Sequence, residues 1–136
     1  MYTSTKATIY LIDGSNMVRS FLGEFGRSED EVTADFLDFL EQVSQDARYR
    51  MHTYEVIFDG SFRPVGPLYR AGVHISFSEG NSADELIREQ AGFLAHSGRR
   101  VIAVTDDRAL QAELKELGVK TFFCRKFYYS FRPEDK

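Results

Sequence analysis

Four groups of acidic residues stand just after runs that read as strands, or open the helix that follows one. Asp13 follows Thr8-Ile9-Tyr10-Leu11-Ile12, with Asn16 three residues further on. Asp59 follows Glu55-Val56-Ile57-Phe58. Asp84 and Glu85 open a helical stretch after the run Val73 to Phe77, and Asp106 and Asp107 follow the run Arg100 to Val104. Carboxylates massed together repel and are costly to hold unless a cation joins them. Oxygen donors without histidine or cysteine suit a hard ion, Mg²⁺ or Mn²⁺. His52, His74 and His96 show no metal-ligand spacing. The single cysteine, Cys124, cannot form an internal disulfide or a multi-cysteine zinc site.

Each acid also has a simpler reading. Ser82-Ala83-Asp84-Glu85 fits a capping box, with Ser82 as the cap and Glu85 reaching back. Thr105 or Asp106 fits the cap of the next helix, leaving Asp107 in its first turn, and Asn16 fits the cap of a short helix from Met17 to Phe21. Asp59-Gly60 fits a plain turn. Capping needs one side chain per helix, however, and does not explain Asp13 at the end of an apolar strand.

The elements that must position these residues alternate. Strands are expected at 8–12, 55–58, 73–77, 100–104 and 119–123. Helices are expected at 32–47, 83–95 and 108–117, the last two closed by Gly98 and Gly118. The first strand lacks polar alternation beyond Thr8, as in a strand buried on both faces of a parallel sheet. The stretch from Ser61 to Gly72, with Pro64, Gly66 and Pro67, reads as a loop carrying Arg63 and Arg70. The tail from Arg125 to Lys136 carries no readable pattern. This is an α/β layered domain with a largely parallel five-stranded sheet, in which ligands sit beyond the carboxyl ends of the strands.

The chain has 136 residues, which is the size of one domain spanning 1–136. Apolar residues make up 43%, enough for an unaided core. With 17 basic against 21 acidic residues the net charge is −4, which excludes a strongly basic nucleic-acid coat but not a local patch. No run approaches the roughly 20 apolar residues of a membrane span. A soluble, cytoplasmic protein that does not engage a membrane is the expectation.

The residues around the acids carry a family resemblance. Asp13-Gly14-Ser15-Asn16 after an apolar strand resembles the DGxN signature of the NYN branch of PIN-like ribonucleases. Phe58-Asp59-Gly60 resembles its second-strand element, Ser82-Ala83-Asp84-Glu85 its TADE-like helix start, and Val104-Thr105-Asp106-Asp107 the element that ends strand four. The set is similar to the YacP-like bacterial NYN proteins, and its order covers nearly the whole chain. The resemblance implies a PIN-like three-layer fold with strand order 3-2-1-4-5 and a metal-dependent endoribonuclease. Asp13, Asp84 and Asp107 would hold one or two Mg²⁺ or Mn²⁺ ions, and Asp59 and Asp106 are further candidate ligands. Asn16 would orient a metal water or a phosphate oxygen. Ser15, Glu85 and Thr105 would support the ligands from behind. In-line attack would leave a 5′-phosphate and a 3′-hydroxyl.

The partner implied is single-stranded RNA, on a messenger or at the ribosome. The charge is uneven: seven acids and no base lie between Glu29 and Asp46, and five bases against two acids between Lys120 and Lys136. Arg125, Lys126, Tyr128 and Tyr129 interleave cations with aromatics, which suits phosphate contact with base stacking. The alternative for the tyrosines is packing on the core. Arg19, Arg63 and Arg70 are further candidate contacts, each readable as a solvated arginine instead. Two other functions stay open: a non-catalytic RNA- or ribosome-binding module of the same fold, and a phosphoacceptor receiver. A receiver expects paired acids on strand one, whereas Ile12 precedes Asp13.

Overall fold

A computed structural model describes residues 7–22, 27–67 and 70–132. Among the described residues ten elements follow one another: β1 (Ile9–Asp13), α1 (Gly14–Phe21), α2 (Glu29–Gln45), β2 (Thr53–Phe58), β3 (Val73–Phe77), α3 (Ala83–His96), β4 (Val101–Val104), α4 (Arg108–Glu116), β5 (Lys120–Phe122) and α5 (Cys124–Phe131). The five strands form one sheet in the order β3-β2-β1-β4-β5, and every pairing is parallel. All five carboxyl ends therefore lie along one edge.

The period-2 geometry of β1 divides the core into two. Tyr10 and Ile12 face α1, α2 and α5, where Met17, Leu37, Leu40 and Phe127 are buried. Ile9 and Leu11 face α3 and α4, where Ile87, Ala91, Leu110 and Leu114 are buried. Every residue of β1 is buried, as its unbroken apolar run requires of a central strand with helices on both faces.

Several boundaries differ from expectation for physical reasons. The first helix is not a short segment capped by Asn16. It starts at Gly14, and Asp13 caps it by accepting a 3.0 Å hydrogen bond from the Asn16 backbone N–H. Gly14 is what brings α1 this close to β2: a Cβ there would fall 2.7 Å from a ring carbon of Phe58. Helix α2 starts three residues early because Ser28 and Glu31 form a capping box. Strand β2 starts at Thr53, whose N–H donates to the Thr8 carbonyl. The tail contains α5, whose buried Cys124, Phe127 and Phe131 recur at helical spacing. Residues 133–136, including Lys136 of the basic tail, lie outside the described residues.

Candidate active site

Three acids expected to act together are carried by three separate segments at the carboxyl edge. Asp13 ends β1 and is 3% exposed. Asp84 is the second residue of α3 and is half-buried. Asp107 caps α4, accepting from the Leu110 N–H at 2.9 Å, so the cap is Asp107 itself rather than Thr105 or Asp106. Burial pushes the Asp13 carboxyl up to about 7, reinforced by the Asp84 carboxylate and opposed by the Asn16 N–H and by Arg19. Burial also raises Asp84, with hydrogen bonding and repulsion from Asp107 adding to it. Asp107 is lowered by the Leu110 N–H and by hydrogen bonding with Asp84. The three make a row with Asp84 in the middle: it raises Asp13, and Asp107 raises it in turn.

The other acids are already engaged. Asp59 accepts from the Ala83 N–H at 2.7 Å and so holds the start of α3 in place, while its own N–H donates to Ser15 Oγ at 2.9 Å. Its charge reaches Asp84, whose proton it helps to retain. Both carboxylate oxygens of Asp106 are used: one accepts from the Cys124 N–H at 2.9 Å and the other from Ser20 Oγ at 2.6 Å. Asp106 thus fastens α1 and α5 to the β4–α4 turn, which corrects its expected place among the ligands. Glu85 is exposed and closes the capping box with Ser82, so its role is the start of α3. Of the residues expected behind the acids, Ser15 and Thr105 bond to the turns that carry them, and Asn16 joins them.

Asn16 Oδ1 accepts from the Asp106 N–H at 2.8 Å and from Thr105 Oγ at 3.2 Å. Fully buried Thr105 also accepts the Asp107 N–H at 3.1 Å. The carboxamide oxygen of Asn16 is therefore a clamp between the β1–α1 and β4–α4 turns, setting Asp13 relative to Asp107. Ser20 belongs to the same bracing and escaped the sequence reading. Its signal was its position four residues after Asn16, one helical turn along the same face.

The expected RNA contacts separate. Arg19 and Arg63 line a cleft of about 360 Å³ that also includes Ser15 and Asp59. Arg70 does not: it is 7% exposed and ion-pairs with Asp38 and Glu41 of α2, because the loop before β3 folds back onto that helix. Arg125 donates to the Ser20 carbonyl and lies over the Phe21 ring. Lys126 lies over Phe122 and is exposed. Tyr128 packs on Phe21 and Phe39, at the border of the core, so the packing alternative holds for it. Tyr129 is 52% exposed.

The donor set fits a hard divalent ion in kind, since it is oxygen only and crowded enough to retain protons. It fits in pairs rather than as a closed cage: among the described residues no three His, Cys, Asp or Glu side chains form a group that would hold a metal. Asp13 and Asp107 flank β1 and β4, where the chain reverses its direction across the sheet, which is where open α/β sheets bind ligands.

A parallel sheet ordered 3-2-1-4-5 with aspartates at that reversal is an α/β architecture shared with the PIN-like nuclease domains. The chain belongs to the YacP-like NYN domain family, whose model matches residues 10–136. Among solved structures it is similar to two crystal structures of Rae1 (YacP) from Bacillus subtilis, one of them a point variant. Both superpose with a TM-score of 0.68 at 20% identity. The superpositions cover 91% of this chain and 74% of the variant, and 90% of this chain and 72% of the other. No curated protein matches the chain. Among the described residues no helix is long and apolar enough to cross a membrane.

Proposed function

We propose that this protein is a metal-dependent endoribonuclease acting on single-stranded RNA. The observation that carries the reading is that Asp13, Asp84 and Asp107 come from three segments to the carboxyl edge of the sheet, near enough to shift one another's titration. Asp13, Asp84 and Asp107 would hold Mg²⁺ or Mn²⁺. When bound, such an ion supplies a water of lowered pKa and positive charge beside the scissile phosphate. Burial favours the protonated form of Asp13 and Asp84, whereas the Leu110 N–H favours the ionised form of Asp107, so metal binding competes with protons at the first two. Asn16 and Thr105 keep the two outer acids at fixed separation, and Arg19 offsets negative charge near Asp13.

The test is incubation of a mixed single-stranded RNA pool with Mg²⁺, Mn²⁺ or EDTA. The expected result is cleavage with either ion, none in EDTA, and products bearing 5′-phosphates. Cleavage that persists in EDTA contradicts it. The arrangement of the acids in pairs favours a second reading, a non-catalytic RNA-binding module. That reading predicts RNA binding with neither metal binding nor cleavage.

A further inference from the structure

Phe62 and Arg63 lie on the loop that leaves β2, four and five residues beyond its last residue, Phe58. Phe62 is 56% exposed, so its ring is open to a stacking partner. Its ring stands edge-on to Phe77, with centroids 5.4 Å apart, so it is braced from behind while remaining open. Arg63 is braced more firmly. Its Cζ lies 5.3 Å from the Phe77 ring centroid and 5.8 Å from that of Phe58, and Nη1 donates to the carbonyls of Asp59 and Ser61 at 2.9 and 3.1 Å.

Arg63 pairs with no carboxylate among the described residues, and neither does Arg19 across the cleft they share. A guanidinium fixed by two carbonyls and two rings has little conformational entropy left to lose on meeting a phosphate. The cleft, at about 360 Å³, sits at the low end of ligand-site volumes, a size that suits one nucleotide unit. Asp59 joins the cleft to Asp84, through its bond to Ala83 and its charge. Glu29 and Asp30 also line the cleft and oppose an anion there, so the phosphate contact falls to Arg63 and Arg19.

We propose that Phe62 and Arg63 form a nucleotide subsite for single-stranded RNA beside the acids: the Phe62 ring stacks a base and the Arg63 guanidinium takes the adjoining phosphate. This rests on the ribonuclease reading. It adds the position that grips the substrate without regard to sequence, because every base presents a π-face.

The test is the affinity of the full chain in EDTA for a fluorescently labelled single-stranded RNA of about a dozen nucleotides, read by anisotropy across a salt series. Phe62→Ala is expected to weaken binding roughly 5- to 100-fold with the salt slope unchanged, and Phe62→Trp to keep it. Arg63→Ala is expected to weaken binding and lower the slope of log K against log[salt] by about 0.7, the value for one phosphate of a single strand. Arg63→Lys keeps the slope. In cleavage with Mn²⁺ both alanine variants are expected to raise KM with little change in kcat. Phe93→Ala, an exposed phenylalanine on α3, is the control and should change nothing. Wild-type affinity in a folded Phe62→Ala protein, with wild-type cleavage intact, overturns the subsite alone. A wild type that neither binds nor cleaves RNA overturns the subsite and the ribonuclease reading together.

Discussion

Asp13 does two things that conflict. Its carboxylate caps α1, which favours the charged form, yet it is buried beside Asp84, which favours the neutral one. Burial prevails, and the group titrates at about 7 rather than 3.8. The sign follows from that upward shift. Below the ordinary value both folded and unfolded chains carry the proton and the shift costs nothing. As pH rises from there towards 7 the unfolded chain ionises first, so stability falls by at most about 1.4 kcal/mol per pH unit and then levels off. Asn is as good a cap as Asp but carries no charge. Asp13→Asn is therefore expected to stabilise the metal-free protein near pH 8, by at most about 4 kcal/mol, and by almost nothing near pH 4, while abolishing cleavage. Denaturant melts at the two pH values check this, and a variant less stable than wild type near pH 8 would contradict it. Capping, which the sequence reading denied to Asp13 and gave to Thr105 or Asp106, falls on Asp13 and Asp107 themselves. Asp107 caps a helix and also belongs to the row, because a cap at a strand's carboxyl end points where ligands bind. Residue type alone could not separate Asp106 from Asp107, since only the fold brings Ser20 and the Cys124 N–H to Asp106.

The β2–β3 loop is tied at both ends, and the ties explain which of its arginines meets the cleft. At its start Arg63 is bonded to the Asp59 and Ser61 carbonyls; at its end Arg70 is buried against Asp38 and Glu41. The sequence shows both as arginines on a Pro/Gly loop, and nothing local tells them apart. The distinction comes from acids more than two dozen residues upstream, on a helix that reads equally well as a solvated face. Arg70→Ala is expected to cost about 1–3 kcal/mol, through lost packing and a lost charge-assisted bond, and to leave RNA affinity in EDTA unchanged. Thermal melts with the anisotropy assay check it; weakened RNA binding in a folded variant would contradict it. Helix α5 was illegible for a similar reason. Its N-cap residue, Phe123, makes no side-chain cap, and the start is held by Asp106 from another turn. Its buried positions at 124, 127 and 131 do carry the helical period, but aromatics on both faces mask it.

At the scale of the molecule, the sheet does the gathering. Parallel pairing throughout puts every strand's carboxyl end on one edge, and the 3-2-1-4-5 order puts β1 and β4 side by side at the reversal. The parallel sheet was legible in unbroken apolar strands separated by amphipathic helices, whereas the strand order came only from the family resemblance. The distances between the acids were not legible, since they depend on Asn16 and Thr105 bridging two turns about ninety residues apart. Charge crowded at one edge costs stability that a cation restores. Mg²⁺ or Mn²⁺ is therefore expected to raise the melting temperature near pH 8 and to do so less near pH 6, where protons on Asp13 compete. An equal rise at both values would contradict that competition. The most direct measurement concerns Asp84, the middle of the row. Among the described residues it is the one of the three acids that does not cap a helix, so Asp84→Asn removes charge without removing a helix cap. The account predicts that Asp84→Asn melts at or above the wild-type temperature without metal, loses the metal-dependent rise, and cleaves single-stranded RNA at least about a hundredfold more slowly. A folded Asp84→Asn protein that cleaves at the wild-type rate would contradict the assignment of these acids.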